Sequence, residues 1–161
     1  MFRKAISSCN APKAIGPYSC AMKLGDFVYI SGQLPIDASS GNMPETIEEQ
    51  TKQSLANIEA LLAEMFLEPR HVVKTTIYMS DLSEFSRMNE VYGQFFSEPY
   101  PARSCVEVKA LPKGAKVEIE CFAIDTLALE NIQGCCGGNC NDENSCQCDM
   151  DSDTCEQCCN H

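Results

Sequence analysis

Between Pro101 and Ala123 the chain gathers a guanidinium, a thiol and carboxylates. Pro101-Ala-Arg-Ser-Cys-Val-Glu-Val108 and Lys116-Val-Glu-Ile-Glu-Cys-Phe-Ala123 both alternate as half-buried strands do, and Leu111-Pro-Lys-Gly-Ala115 between them reads as a turn. The alternation places Arg103, Cys105 and Glu107 on one side of the first strand, and Glu118, Glu120 and Phe122 on one side of the second. Joined as a hairpin, the two strands are expected to present these groups on a common face. Arginine grips a planar carboxylate through two parallel hydrogen bonds, and a carboxylate beside it can orient and deprotonate a water. A small carboxylic acid and a hydrolytic water fit that pair.

Each residue also has a plainer reading. A lone arginine on a strand commonly serves a surface ion pair, Cys105 is equally compatible with a buried structural thiol, and either Glu118 or Glu120 could be a solvated strand residue. A Cys–His dyad is not in view, because the histidines are His71, beside the strand after the first helical stretch, and His161, the last residue. Neither a phosphate-binding glycine loop nor a Ser-His-Asp set is present, so no cofactor is implied for catalysis.

The elements that must hold these groups follow from periodicity. Tyr18 to Met22 and Phe27-Val-Tyr-Ile-Ser-Gly32 read as strands around a turn at Leu24-Gly-Asp26, and Pro35 to Pro44 as a loop. Thr46-Ile-Glu-Glu49 has capping-box spacing, and Ile47, Thr51, Leu55, Ile58, Leu62 and Met65 then mark one face of a helix ending at Pro69. Val72 to Met79 alternates as a strand; Asp81-Leu-Ser-Glu84 repeats the cap spacing before a second helix carrying Phe85, Met88, Tyr92 and Phe95, which stops before Pro99. The expected fold is α+β, one sheet with two helices on one face. An apolar second face of such a sheet would call for cover by another subunit.

With these elements in place, several blocks of sequence resemble one family in register. They are Ala11-Pro-Lys-Ala-Ile-Gly-Pro-Tyr-Ser19, Ser31-Gly-Gln-Leu-Pro35, Val72-Val-Lys-Thr-Thr76, Asn89-Glu-Val-Tyr92 and the Arg103 to Glu120 region. From about Ala5 to Ile124 the chain resembles the reactive intermediate deaminases, the enamine/imine deaminase group also called L-PSP endoribonucleases. The resemblance implies a chorismate-mutase-like mixed sheet assembled as a trimeric barrel, with pockets at subunit boundaries. It implies hydrolysis of 2-imino acids such as 2-iminopropanoate and 2-iminobutanoate to 2-oxo acids and ammonia. Arg103 would hold the substrate carboxylate, Glu118 rather than Glu120 would activate water, and Cys105 would line the pocket and lend its backbone amide. Tyr18, Gly32 and Asn89 match substrate-binding positions, Gly32 through its backbone. A ribonuclease, or a non-catalytic metal-binding or chaperone-like trimer, are the competing functions.

Bulk properties bound the rest. At 161 residues and a net charge of −11 the chain is one ordinary domain with no basic stripe, which argues against nucleic acid as a general partner. No run approaches the roughly 18 apolar residues of a membrane span, and the positive charges of Met1-Phe-Arg-Lys4 are followed by no apolar stretch of a removable signal, so the expected address is cytoplasmic. Eight of the twelve cysteines crowd the end: Cys135, Cys136, Cys140, Cys146, Cys148, Cys155, Cys158 and Cys159. The expected division is a deaminase domain over 1–132 and a cysteine-rich acidic tail over 133–161. Close thiolate spacing suits zinc or copper(I); redox-active thiols on a disordered segment and a disulfide staple are the other readings.

Overall fold

The computed structural model describes residues 3–130, and the tail cysteines lie outside that range. The strands are β1 (Arg3–Ile6), β2 (Ala21–Leu24), β3 (Phe27–Gln33), β4 (Val72–Met79), β5 (Ala102–Glu107) and β6 (Val117–Ile124). The helices are α1 (Ile47–Ala63) and α2 (Phe85–Phe95). They form an α+β fold whose single sheet has the order β1-β2-β3-β6-β4-β5. Every neighbouring pair is antiparallel except β4 and β5, which run parallel with α2 as their crossover.

α1 forms where its pattern and cap predict. The Thr46 hydroxyl accepts a hydrogen bond from the Glu49 amide at 3.3 Å, and the whole expected stripe from Ile47 to Met65 is buried. The helix stops at Ala63, before Pro69 is reached. Phe66 takes a left-handed φ of 59°, and the Leu67 amide turns back to the Leu62 carbonyl at 3.0 Å. Arg87 ties α2 to α1 through Glu48, with Nη2 donating to Oε2 at 2.7 Å.

One face of the sheet carries the core. Val28, Ile30, Ile77, Met79, Val117, Ile119 and Ala123 are buried there with Leu55, Ile58, Leu61, Leu62 and Met88 of the helices. The opposite face keeps apolar rings in the open. Phe122 packs against Tyr29 at 4.9 Å and Phe27 at 6.0 Å between centroids, yet Tyr29 and Phe27 remain about half exposed, at 53% and 49%. Burying such rings is worth about 25 cal/mol per Å² of apolar surface removed from water, so their exposure among the described residues carries a cost.

The expected β5–β6 hairpin does not form. After the turn at Pro112–Gly114, β6 inserts between β3 and β4, so β4 separates it from β5. Among the described residues β5 is an edge strand paired with β4, and half of its backbone donors and acceptors face away from that neighbour.

Candidate functional site

Sheet register decides which chemical groups can meet. Thr75 of β4 pairs with Arg103 on one side and Cys121 on the other, and Ile77 pairs with Cys105 and Ile119. Directly paired residues share a face, so Arg103 and Cys105 lie on the helix side of the sheet. Tyr78 pairs with Glu118, and Thr76 with Glu120, which puts both carboxylates on the open side. The common face expected from a hairpin is therefore corrected: within one chain, the sheet stands between Arg103 and Glu118.

On the helix side, the Arg103 guanidinium lies over the Tyr92 ring, 4.6 Å from its centroid, and 5.6 Å from that of Phe85. No carboxylate among the described residues pairs with it. A cavity of about 360 Å³ opens beside it, walled by Asn89, Tyr92, Gly93, Tyr100 and Pro101. Burial pushes the half-buried Cys105 thiol up, and the Arg103 charge only partly opposes it. A thiol raised in this way is a poor nucleophile, so Cys105 is ill suited to act as a thiolate.

On the open side, the Glu118 carboxylate lies against the bare backbone of Gly32. A Cβ added there would stand 2.8 Å from Glu118 Cδ and closer still to Oε1. The register of β3 shifts between Ile30 and Gln33, the kind of irregularity that re-aims backbone beside a site. Burial raises the Glu118 carboxyl above its ordinary value, and the neighbouring Glu120 charge adds to the rise. Glu120 accepts a hydrogen bond from the Tyr78 hydroxyl at 3.2 Å, whereas Glu118 has no hydrogen-bond partner among the described residues. Of the two carboxylates, Glu118 is the one left free to hold a water.

The remaining expected positions are dispersed. Asn89 sits exposed on α2 and joins the Arg103 cavity. Tyr18 follows Gly16, whose φ is +120°, and leaves half of its surface exposed at 50%. Nearby, the Ser31 hydroxyl donates to the Ser19 carbonyl at 2.7 Å, fastening this loop to β3.

Residues 8–125 match the family described as endoribonuclease L-PSP. The chain belongs to that family. Among L-PSP relatives, the RutC family protein y4sK of Sinorhizobium fredii is 52% identical over 116 residues, covering 71% of this chain and 92% of that protein. The 2-iminobutanoate/2-iminopropanoate deaminase of Salmonella typhimurium is 44% identical over 124 residues, 75% of this chain and 97% of that one. Among solved L-PSP folds, E. coli TdcF with bound serine superposes with a TM-score of 0.73 at 42% identity, covering 75% of this chain and 98% of TdcF.

Two partners in this L-PSP chain escape a reading of the sequence. Tyr92 counts there as an apolar helix position, and Thr75 as an alternating strand residue; in the fold their hydroxyls meet at 2.8 Å beneath Arg103. Tyr78 likewise gives no sign in sequence of its bond to Glu120, because the pair is 42 residues apart. The cysteines from Cys135 to Cys159 fall outside the described residues, and none of the described residues is grouped so as to hold a metal ion. No helix among the described residues is long and apolar enough to cross a membrane.

Proposed function

We propose that this chain is a cytoplasmic hydrolase that deaminates 2-imino acids and their enamine tautomers, including 2-iminopropanoate and 2-iminobutanoate, at pockets shared between subunits of a homotrimer. The observation that carries the reading is the placement of Arg103 and Glu118 on opposite faces of one sheet. A single chain cannot set both on one small substrate, whereas the Arg103 edge of one copy laid against the open face of the next can. The half-exposed rings of Tyr29 and Phe27, packed on Phe122, supply the apolar surface for such a contact.

In this pocket Arg103 holds the substrate carboxylate through its planar fork, assisted by the Cys105 backbone amide, with Asn89 and Tyr18 as further walls. Glu118 of the neighbouring copy, lying against the Gly32 backbone, orients a water toward the imine carbon. Water oxygen bonds to that carbon as Glu118 takes one of its protons and the C=N π pair moves to nitrogen; Glu118 passes that proton to the nitrogen, leaving a carbinolamine. Glu118 then takes the hydroxyl proton as the C=O bond forms and the C–N bond breaks, hands it to the departing nitrogen, and ammonia leaves a 2-oxo acid. One molecule of water is consumed and no redox partner is needed. The serine bound in TdcF is an amino acid of similar size with the same carboxylate handle. Ribonuclease activity, which the family's description carries, is not proposed, since a net charge of −11 disfavours contact with phosphates.

The test is complementation. Arg103→Lys replaces the fork with a point charge and is expected to lose roughly 10- to 150-fold in kcat/KM, the range for a charged hydrogen bond. Glu118→Gln is expected to lose about 100-fold or more. Unfolded together and refolded as mixed oligomers, the two inactive variants should recover about a quarter of wild-type imine hydrolysis, because each shared pocket draws one residue from each neighbour. No recovery, with mixed oligomers shown to form, would refute a pocket shared in this way.

A further inference from the structure

Arg103 is a long cation without an acidic partner among the described residues, held against two rings instead. That choice has a chemical consequence. A neighbouring Asp or Glu would fix the guanidinium but occupy the donors a ligand carboxylate needs. An aromatic face fixes the plane of the group and leaves the N–H fork unspent. The closer ring, Tyr92, is itself immobilised: it is 4% exposed, packs on Phe96 at 4.7 Å, and shares a hydrogen bond with the fully buried Thr75. Thr75 pairs in register with Arg103 across β4 and β5, so the strand that carries the arginine and the strand that pins its seat are neighbours.

We propose that Tyr92 is a positioning residue for carboxylate recognition: its ring, pinned by Thr75, seats the Arg103 guanidinium with its donors free for an anionic substrate. The inference rests on Arg103 being the carboxylate clamp. It assigns Tyr92 no contact with the reacting atoms, and so it separates binding from chemistry. Weakening the seat should raise KM, since the clamp acts alike in ground and transition states, and leave kcat within about threefold.

The experiment uses the full-length protein and 2-oxobutanoate as a stable carboxylate probe, with binding measured by calorimetry and folding checked by thermal melting. Tyr92→Leu is expected to weaken binding about 3- to 30-fold, the span of a partly desolvated cation–π contact, and Tyr92→Phe to recover most of that loss. Because Leu in a packed site could compromise folding, Tyr92→pentafluorophenylalanine keeps the ring's shape while withdrawing its negative face, and should weaken binding where Phe does not. In an Arg103→Ala background, neither change should weaken the probe further. If the pentafluoro ring binds the probe as well as Phe does, or if Tyr92→Leu costs the same in both backgrounds, the seat is overturned while the clamp stands. If Arg103→Ala alone binds the probe normally, the clamp falls and the seat with it.

Discussion

Gly32 and Glu118 occupy the same space across β3 and β6: the carboxyl group of one lies where a side chain of the other would begin, with Glu118 Cδ 2.8 Å from an added Cβ. The glycine is required here by proximity alone, since its φ is not in the left-handed region. Gly32→Ala should therefore displace the flexible Glu118 carboxylate rather than break the strand. The expected result is a folded protein with a near-native melting temperature and imine hydrolysis lowered by about 10-fold or more. Wild-type turnover in this variant would mean that Glu118 does not work from this position.

Glu118 also sets an expectation for pH. Burial, and secondarily Glu120, raise its folded value above that of an ordinary glutamate, so the acid limb of kcat/KM should lie above the pKa of an ordinary glutamate. Glu120→Gln removes the second cause and should move that limb to lower pH. A limb unmoved by Glu120→Gln would detach it from Glu118.

The same shift has a stability sign. A carboxyl raised on folding contributes stability that is present below its unfolded value, near pH 4, and lost as pH rises through the folded one. Glu118→Gln should thus melt like wild type in acid and above it at neutral pH. A melting difference that does not grow over this interval would show that burial does not raise Glu118.

Assembly is testable on the open face. Tyr29 is 53% exposed and packs at a tilt on Phe122, so Tyr29→Glu should place charge in the proposed contact while sparing the core of the single chain. Sedimentation should give a trimer for wild type and smaller species, with lost turnover, for the variant. A wild-type monomer that hydrolyses imines would end the shared-pocket reading.

Removal of 133–161 should leave imine hydrolysis unchanged, because the described strands and both helices end before it. The eight cysteines so removed should carry any zinc or copper(I) capacity, with uptake that falls as pH drops. Metal analysis of reduced full-length and truncated protein decides this: equal uptake by both would detach metal binding from the tail.

What could be read along the chain was what depends on near neighbours. Thr46 and Glu49 announced the start of α1, the spacing from Ile47 to Met65 its buried face, and the alternation of Val117 to Ala123 the two sides of β6. Each is a matter of helical or strand periodicity within one element. The four-residue β1 was too short to show a period, and the end of α1 depended on a left-handed Phe66 that no pattern marks. Which strand lies beside which is a different kind of fact, settled by pairing between distant segments. Pro112-Lys-Gly114 looked like a hairpin turn, but β6 gains two partners by entering between β3 and β4, where a hairpin with the edge strand β5 would give it only one. That insertion put Arg103 against Tyr92 and Thr75, and Glu118 against Gly32, on opposite sides of the sheet. The residue types that carry the chemistry were legible in sequence; their separation was a consequence of strand order and register.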